Sequence, residues 1–183
     1  MIQKILSAAA FVLATTLGSL SSMAATIEFD QTNQSPYLED GYKFDNPTIV
    51  SGNCFAAPCL SLSADNITTM SAQNGSAFSV TSFWFQLLGT TSELTVTAFQ
   101  DANIVDMIVL TQSDFAHNNG GQFFTHLFAD ITSLDFGNAG TGSIRIDNVS
   151  AVPIPAALPL FGSALAGLGF IARRRKSKRA MAT

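Results

Sequence analysis

Between Ala25 and Val152 no stretch keeps a helical apolar period over three turns. Runs of five to eight residues with period-two alternation recur instead, at roughly ten-residue spacing and with turn residues between them. Such alternation puts one set of side chains on each face of a strand, so every run can bury half of itself. Many short, half-buried strands make a core by stacking two sheets, which predicts an all-β, antiparallel, jelly-roll-like β-sandwich over residues 25–151. The strongest run is Ala77–Leu88, where Phe78 and Val80 share one parity and Phe83, Phe85 and Leu87 the other. A regular strand cannot move its buried set to the opposite face, so a bulge or bend is expected near Thr81 and Ser82. Glu93–Ala98 alternates without interruption and points Leu94, Val96 and Ala98 inward. Further strands are expected at Thr26–Asp30, Tyr42–Phe44, Thr48–Val50, Leu60–Leu62, Ile67–Met70, Ile104–Leu110, Phe123–Phe128, Ile131–Phe136 and Ser143–Val149. Gln31–Gly41 reads as a polar loop, Gly137–Gly142 as a Gly-rich hairpin connection, and Ala151–Pro155 as a short linker stiffened by two prolines.

Charge divides the chain unevenly. All thirteen acids lie between Ala25 and Val152, against two bases there, Lys43 and Arg145, which gives that part a net charge of −11. Such a surface repels phosphate backbones and argues against nucleic acid as a partner. Six of the nine Lys and Arg stand instead at 173–179, directly after Ala156–Ala172, seventeen residues without a charged or amide side chain. With the Val152–Pro155 lead-in, that apolar stretch approaches the length of about 20 residues that spans a bilayer. A basic cluster including Arg173, Arg174, Arg175 and Lys176 would stop transfer on the cytoplasmic side. At the other end, Lys4, the apolar Ile5–Leu20 and Ser22-Met23-Ala24 read as a secretory signal peptide over 1–24, cleaved before Ala25. The expected organisation is therefore signal peptide 1–24, sandwich 25–151 and C-terminal segment 152–183, exported as a membrane-anchored precursor through the Sec machinery. Export also sets the fate of the two cysteines. Cys54 and Cys59, with no further Cys or suitably spaced His to complete a zinc set, are expected to form a disulfide closing a small loop.

The C-terminal segment resembles a PEP-CTERM sorting signal. The residues that carry the likeness are Val152-Pro153-Ile154-Pro155-Ala156, the Leu-, Gly- and Ala-rich span and the terminal Arg cluster. The motif is similar to the Val-Pro-Leu-Pro-Ala variant, with Ile154 where Glu stands in the commonest form. The resemblance implies recognition by a membrane-embedded transpeptidase, an exosortase, in bacteria that make exopolysaccharide, and placement at the cell surface or beyond. A permanently anchored single-pass protein is the plainer alternative. A second likeness lies in the domain: Phe78–Phe83, Gly89–Phe99, Ile131–Phe136 and above all Ile144-Arg-Ile-Asp-Asn-Val149 are similar to jelly-roll domains that precede such tails, which look like galactose-binding and carbohydrate-binding modules. In those modules a structural calcium often joins an acid of the first strand to the Asp of the last. Here this implies Glu28 or Asp30 together with Asp147, oxygen ligands of the kind a hard cation takes.

Signals for catalysis are poor. The chain has no Gly-x-Ser-x-Gly, no His-Glu-x-x-His and no phosphate-cradling loop, and His117 and His126 read as a solvated loop residue and a packed strand residue. A secreted hydrolase acting on polysaccharide is carried as the alternative. Trp84 has parity opposite to Phe83 and Phe85, so it is either an outward ring able to stack on a pyranose or, if the bend turns it, a core residue. The expected function is that of a non-catalytic surface or matrix protein associated with exopolysaccharide.

Overall fold

The computed structural model describes residues 24–31, 34–89, 92–112 and 121–154; the expected membrane span and basic tail, and all but Ala24 of the expected signal peptide, lie outside them. Among the described residues there is no helix, and so none long and apolar enough to cross a membrane. The described residues form twelve strands: β1 (Ala25–Ile27), β2 (Tyr37–Glu39), β3 (Tyr42–Asp45), β4 (Ile49–Val50), β5 (Cys59–Leu62), β6 (Ile67–Ala72), β7 (Phe78–Leu88), β8 (Glu93–Gln100), β9 (Asn103–Thr111), β10 (Gln122–Ile131), β11 (Ser133–Asn138) and β12 (Ser143–Pro153). They make two six-stranded antiparallel sheets. Sheet A runs β10-β7-β12-β5-β4, with β1 also paired to β12, and sheet B runs β2-β3-β6-β11-β8-β9. The all-β sandwich is the architecture that the alternation predicts.

The core lies between the sheets and is set by parity. Leu94, Val96 and Ala98 of β8 are fully buried, as their alternation requires. In β7 the parity change is a bulge at the expected place: Ser150 pairs with Ser82 and Ala151 with Val80, so Thr81 is the extra residue. Phe78, Val80, Phe83 and Phe85 consequently all point inward and are buried. Phe83 meets Phe136 of the opposite sheet edge-on, with centroids 5.6 Å apart. A second aromatic group, Phe29, Tyr37 and Phe44, packs at one end of the core with centroids 5.0–6.2 Å apart. Edge-to-face pairs of this kind add to the area term that drives core formation.

The structure corrects three local expectations. The polar stretch Gln31–Gly41 contains β2, which pairs with β3 through the two-residue turn Asp40-Gly41, both at positive φ (49° and 85°). That is the backbone of a tight hairpin, for which Asp-Gly is a favoured sequence. Gly137 and Asn138 belong to β11, and the link that follows crosses from sheet B to sheet A instead of closing a hairpin. Finally, Ala151–Pro153 is strand, not linker. Val152 pairs with Ser79 and Pro153 with Phe78, Ala151 is fully buried, and the Ile154 N–H donates to the Ala77 carbonyl at 3.1 Å. The first half of the Val-Pro-Ile-Pro-Ala motif is thus part of the sheet, while Pro155 and Ala156 lie outside the described residues.

Candidate ligand-binding faces

The outer face of sheet B carries a trough of about 340 Å³. Its origin is a register coincidence. Gly137 of β11 pairs with Ile67 on one side and Thr95 on the other, so the row Ile67–Gly137–Thr95–Val109 lacks one side chain in its middle. The next row reads Thr69–Asp135–Thr97–Met107. Alternation turns all of these outward, because their neighbours Thr68, Met70, Val96, Leu134 and Phe136 fill the core. The Thr69 hydroxyl donates to Asp135 Oδ1 at 2.7 Å, which fixes the carboxylate over the trough. The result is a Gly floor lined by the Thr95 and Thr97 hydroxyls, the Asp65 and Asp135 carboxylates and an exposed Ile67. Such a lining can accept and donate hydrogen bonds to a hydroxyl-rich chain while offering it an apolar edge. Sequence reasoning did not single out any of these residues.

The outer face of sheet A is covered by the disulfide loop. Cys54 and Cys59 are joined, as expected, and the loop they close lies over β7 and β12. Trp84 does have outward parity, but it is 4 % exposed: Phe55 stands against it at 6.0 Å between centroids, and a Cβ added at Gly121 would lie 2.1 Å from its ring. A stacking role for Trp84 itself is therefore corrected to one of support beneath Phe55. Exposed aromatic surface on this face belongs to Phe55 and Phe123, whose rings meet edge-on at 5.2 Å. Arg145 ties the start of the loop down, its Nε donating to the Gly52 carbonyl at 3.1 Å and its Nη1 to Ser61 Oγ at 2.6 Å.

Asp147 sits opposite Trp84 and is fully buried. Its Oδ2 accepts the Ala56 N–H at 2.9 Å and its Oδ1 the Asn148 N–H at 2.8 Å, so the carboxylate holds the disulfide loop onto the sheet. Burial pushes its pKa up to about 6, and the negative charges of Glu28 and Glu39 push in the same direction. Among the described residues no three His, Cys, Asp or Glu converge in a way that could hold a metal ion. Calcium needs six to eight oxygens. Of the expected ligands, Asp147 has both carboxylate oxygens engaged by backbone N–H groups.

Glu39, which the sequence reading passed over, is the other buried acid of this region. It accepts from the Glu28 N–H (3.1 Å), the Phe29 N–H (3.0 Å) and the Tyr37 hydroxyl (2.6 Å), fastening the chain after β1 to the edge of sheet B. Desolvation raises its pKa against those three donors, which lower it. His126 is a strand residue with a partner: its Nε2 lies 2.7 Å from Asp106 Oδ2. Its ring packs between Phe124 and Phe128, so the pair braces the place where β9 and β10 end the two sheets. His117 lies outside the described residues.

Comparison with protein-family models and with curated proteins finds no match. Among solved structures, the chain is similar to the CBM22-1 xylan-binding domain of Xyn10C from Paenibacillus barcinonensis, with a TM-score of 0.48 and 11 % identity over 76 % of this chain and 99 % of that one. It is also similar to a family 29 carbohydrate-binding module (TM-score 0.41, 12 % identity, 72 % and 91 % covered). A third is the C-terminal CBM6 of LamC from Zobellia galactanivorans (TM-score 0.43, 6 % identity, 72 % and 100 % covered).

Proposed function

We propose that this chain is an exported, non-catalytic surface or matrix protein whose sandwich holds a neutral polysaccharide across the outer face of sheet B. The observation that carries the reading is the trough floored by Gly137, with Asp135 fixed by Thr69 beside it. A flat strand surface gives a sugar chain nothing to enter; an aligned gap of one side chain does. The net charge of −11 in residues 25–152 selects among polysaccharides, because an anionic chain is repelled and an uncharged one is not. Export, retention by the C-terminal span and processing by an exosortase belong to the same proposal. They rest on Lys4 to Ala24, on Val152–Ala156 and on the basic cluster at 173–179.

Affinity electrophoresis of the purified chain through gels containing neutral or acidic polysaccharides tests the binding. Retardation by at least one neutral polymer, no retardation by acidic ones and no release of reducing ends are expected. Asp135→Ala should weaken the retardation. Migration unchanged in every gel removes the binding reading, and release of reducing ends by a wild-type sample that a trough variant also releases points to hydrolysis elsewhere.

A further inference from the structure

The trough on sheet B holds two acids, Asp65 and Asp135, among its eight lining residues and no base. That is one residue in four, where residues 25–152 as a whole have about one acid in ten. Asp135 stands two residues before Gly137 on the same outward face, about 7 Å along the strand. Asp65 lies beyond the other end of the gap. Its N–H donates to the Asn138 carbonyl at 3.1 Å and the Asn138 N–H to the Asn66 carbonyl at 3.3 Å, which fastens the Asp65 turn to the end of β11. The two bases of residues 25–152 are engaged elsewhere: Lys43 Nζ lies 2.8 Å from Asp45 Oδ2, and Arg145, on sheet A, donates to Gly52 and Ser61. The Asn138 amide is spent on the fold, its Nδ2 donating to the Leu62 and Gly142 carbonyls and its Oδ1 accepting the Gly140 N–H. The donor that reaches Asp135, the Thr69 hydroxyl, is uncharged.

We propose that the trough takes an amino sugar whose amino group is free and protonated. This rests on the reading of the trough as a polysaccharide site, and narrows it to chains of otherwise uncharged sugars in which such residues occur. A ring lying over Gly137 takes water from the carboxylates at either end, and a carboxylate that loses water without gaining a cation is costly. An uncharged sugar returns hydroxyl donors alone. An ammonium returns three N–H donors and the missing positive charge, and charge-assisted hydrogen bonds are about twice as strong as neutral ones. The N-acetylated form of the same sugar keeps one N–H and has no charge. The Thr95 and Thr97 hydroxyls can meet the ring hydroxyls, and the exposed Ile67 gives the C–H face of the ring an apolar edge. An acidic domain draws a polycation to every face; the trough differs in offering a recess with an acid toward each end and no base in its lining.

Calorimetric titration of the full chain at about pH 6, where an amino group is protonated, tests this with two probes: a short β-1,4-linked oligomer of N-acetylglucosamine and the same oligomer with its acetyl groups removed. The deacetylated oligomer should bind at least about tenfold more tightly. Asp135→Asn keeps an acceptor for Thr69 and removes the charge, and it should abolish most of that preference; Asp65→Asn, at a φ of 58° that Asn tolerates, should reduce it. Asp101→Asn is the control for general attraction, since Asp101 lies six residues beyond Thr95, about 20 Å along the sheet, and is exposed. Melting curves like that of the wild type verify that each variant is folded. Equal affinity for the two oligomers overturns the proposal, as does a preference that Asp101→Asn reduces as much as Asp135→Asn. Binding of neither oligomer overturns it too, while the underlying reading falls only if no neutral polysaccharide retards the chain. Tight binding of the deacetylated oligomer that Gly137→Val leaves unchanged places the amine outside the trough and overturns the assignment.

Discussion

Filling the trough without harming the sandwich separates a binding face from an accident of packing, and Gly137→Val does this. A Cβ at Gly137 would meet Ile67 Cγ1 at 3.7 Å and the Thr95 carbonyl at 3.8 Å, both ordinary van der Waals distances, and the residue's φ is not positive. The larger side chain therefore has somewhere to go, namely the 340 Å³ that the ligand would need. Glycine inside a strand is destabilising by about 0.5–1 kcal/mol relative to alanine, and a β-branched residue suits a pleated, half-buried surface better still. The variant should accordingly melt about 2–6 °C above the wild type. Its affinity for whichever neutral polysaccharide retards the wild type should fall at least tenfold, equivalent to about 1.4 kcal/mol. Differential scanning fluorimetry and affinity electrophoresis read the two effects on one preparation. Unchanged binding by a Gly137→Val protein of raised stability refutes the trough as the site. A lower melting temperature refutes the account of its open floor.

Three other outcomes follow from named contacts. The Asp147 carboxyl has a folded pKa of about 6 against an ordinary value of 3.8, so its contribution is full below the lower value and is lost as pH rises through the higher one. The domain should lose about 2 kcal/mol between pH 4 and pH 6.5, and Asp147→Asn should remove most of that slope; equal slopes in both proteins would show that Asp147 is not its source. Reducing the Cys54–Cys59 bond releases the loop over Trp84, the chain's single tryptophan, and a loop this small is worth about 2 kcal/mol in chain entropy. Trp84 emission should shift to the red and become quenchable by acrylamide, and a spectrum indifferent to reductant contradicts the cover by Phe55. Intact-mass analysis of the mature protein should show a chain ending beyond Ile154, since residues up to Pro153 are paired in sheet A; recovery of protein still ending at Thr183 leaves a plain membrane anchor.

The sandwich was legible because burial in strands follows a period of two, and that period is written locally. What depends on register was not. The trough exists because Gly137 falls level with Ile67 and Thr95, strands separated by some thirty to seventy residues, and pairing alone reveals that alignment. Glu39 was illegible for a related reason. In an alternating pattern an acid reads as outward, yet here it accepts backbone N–H groups from a segment about ten residues earlier. Trp84 shows the limit of parity itself, which gave its direction correctly and said nothing of the loop folded over it. One missed signal was in plain view. Asp40-Gly41, flanked by Tyr37 and Glu39 on one side and Tyr42 and Phe44 on the other, is a hairpin pattern that polar composition concealed.

The bulge in β7 is one of a set, and the set explains why sheet A presents the face it does. Ile144 and Ile146 of β12 are buried on one parity and Val149 and Ala151 on the other, so β12 also changes faces, at Asn148, whose φ is 48°. Its ladder with β7 slips there and slips again in compensation at Thr81. Neighbouring β10 slips between Thr125 and Phe128, beside the same level of β7. The three adjacent strands thus slip at one level, and β7 and β12 each keep buried apolar residues inward on both sides of it. Were Thr81 held in a regular strand instead of a bulge, a β7 that buried Val80 would turn Trp84 and Gln86 inward and expose Phe83 and Phe85. The bend therefore decides that Trp84 and Asp147 stand together on the outer face. A buried carboxylate at that level needs donors, and Asn148, displaced by the bulge, supplies one from its own N–H while the disulfide loop supplies the other from Ala56. Loop, bulge and buried acid form one unit, so a change at any of them should be felt at the other two.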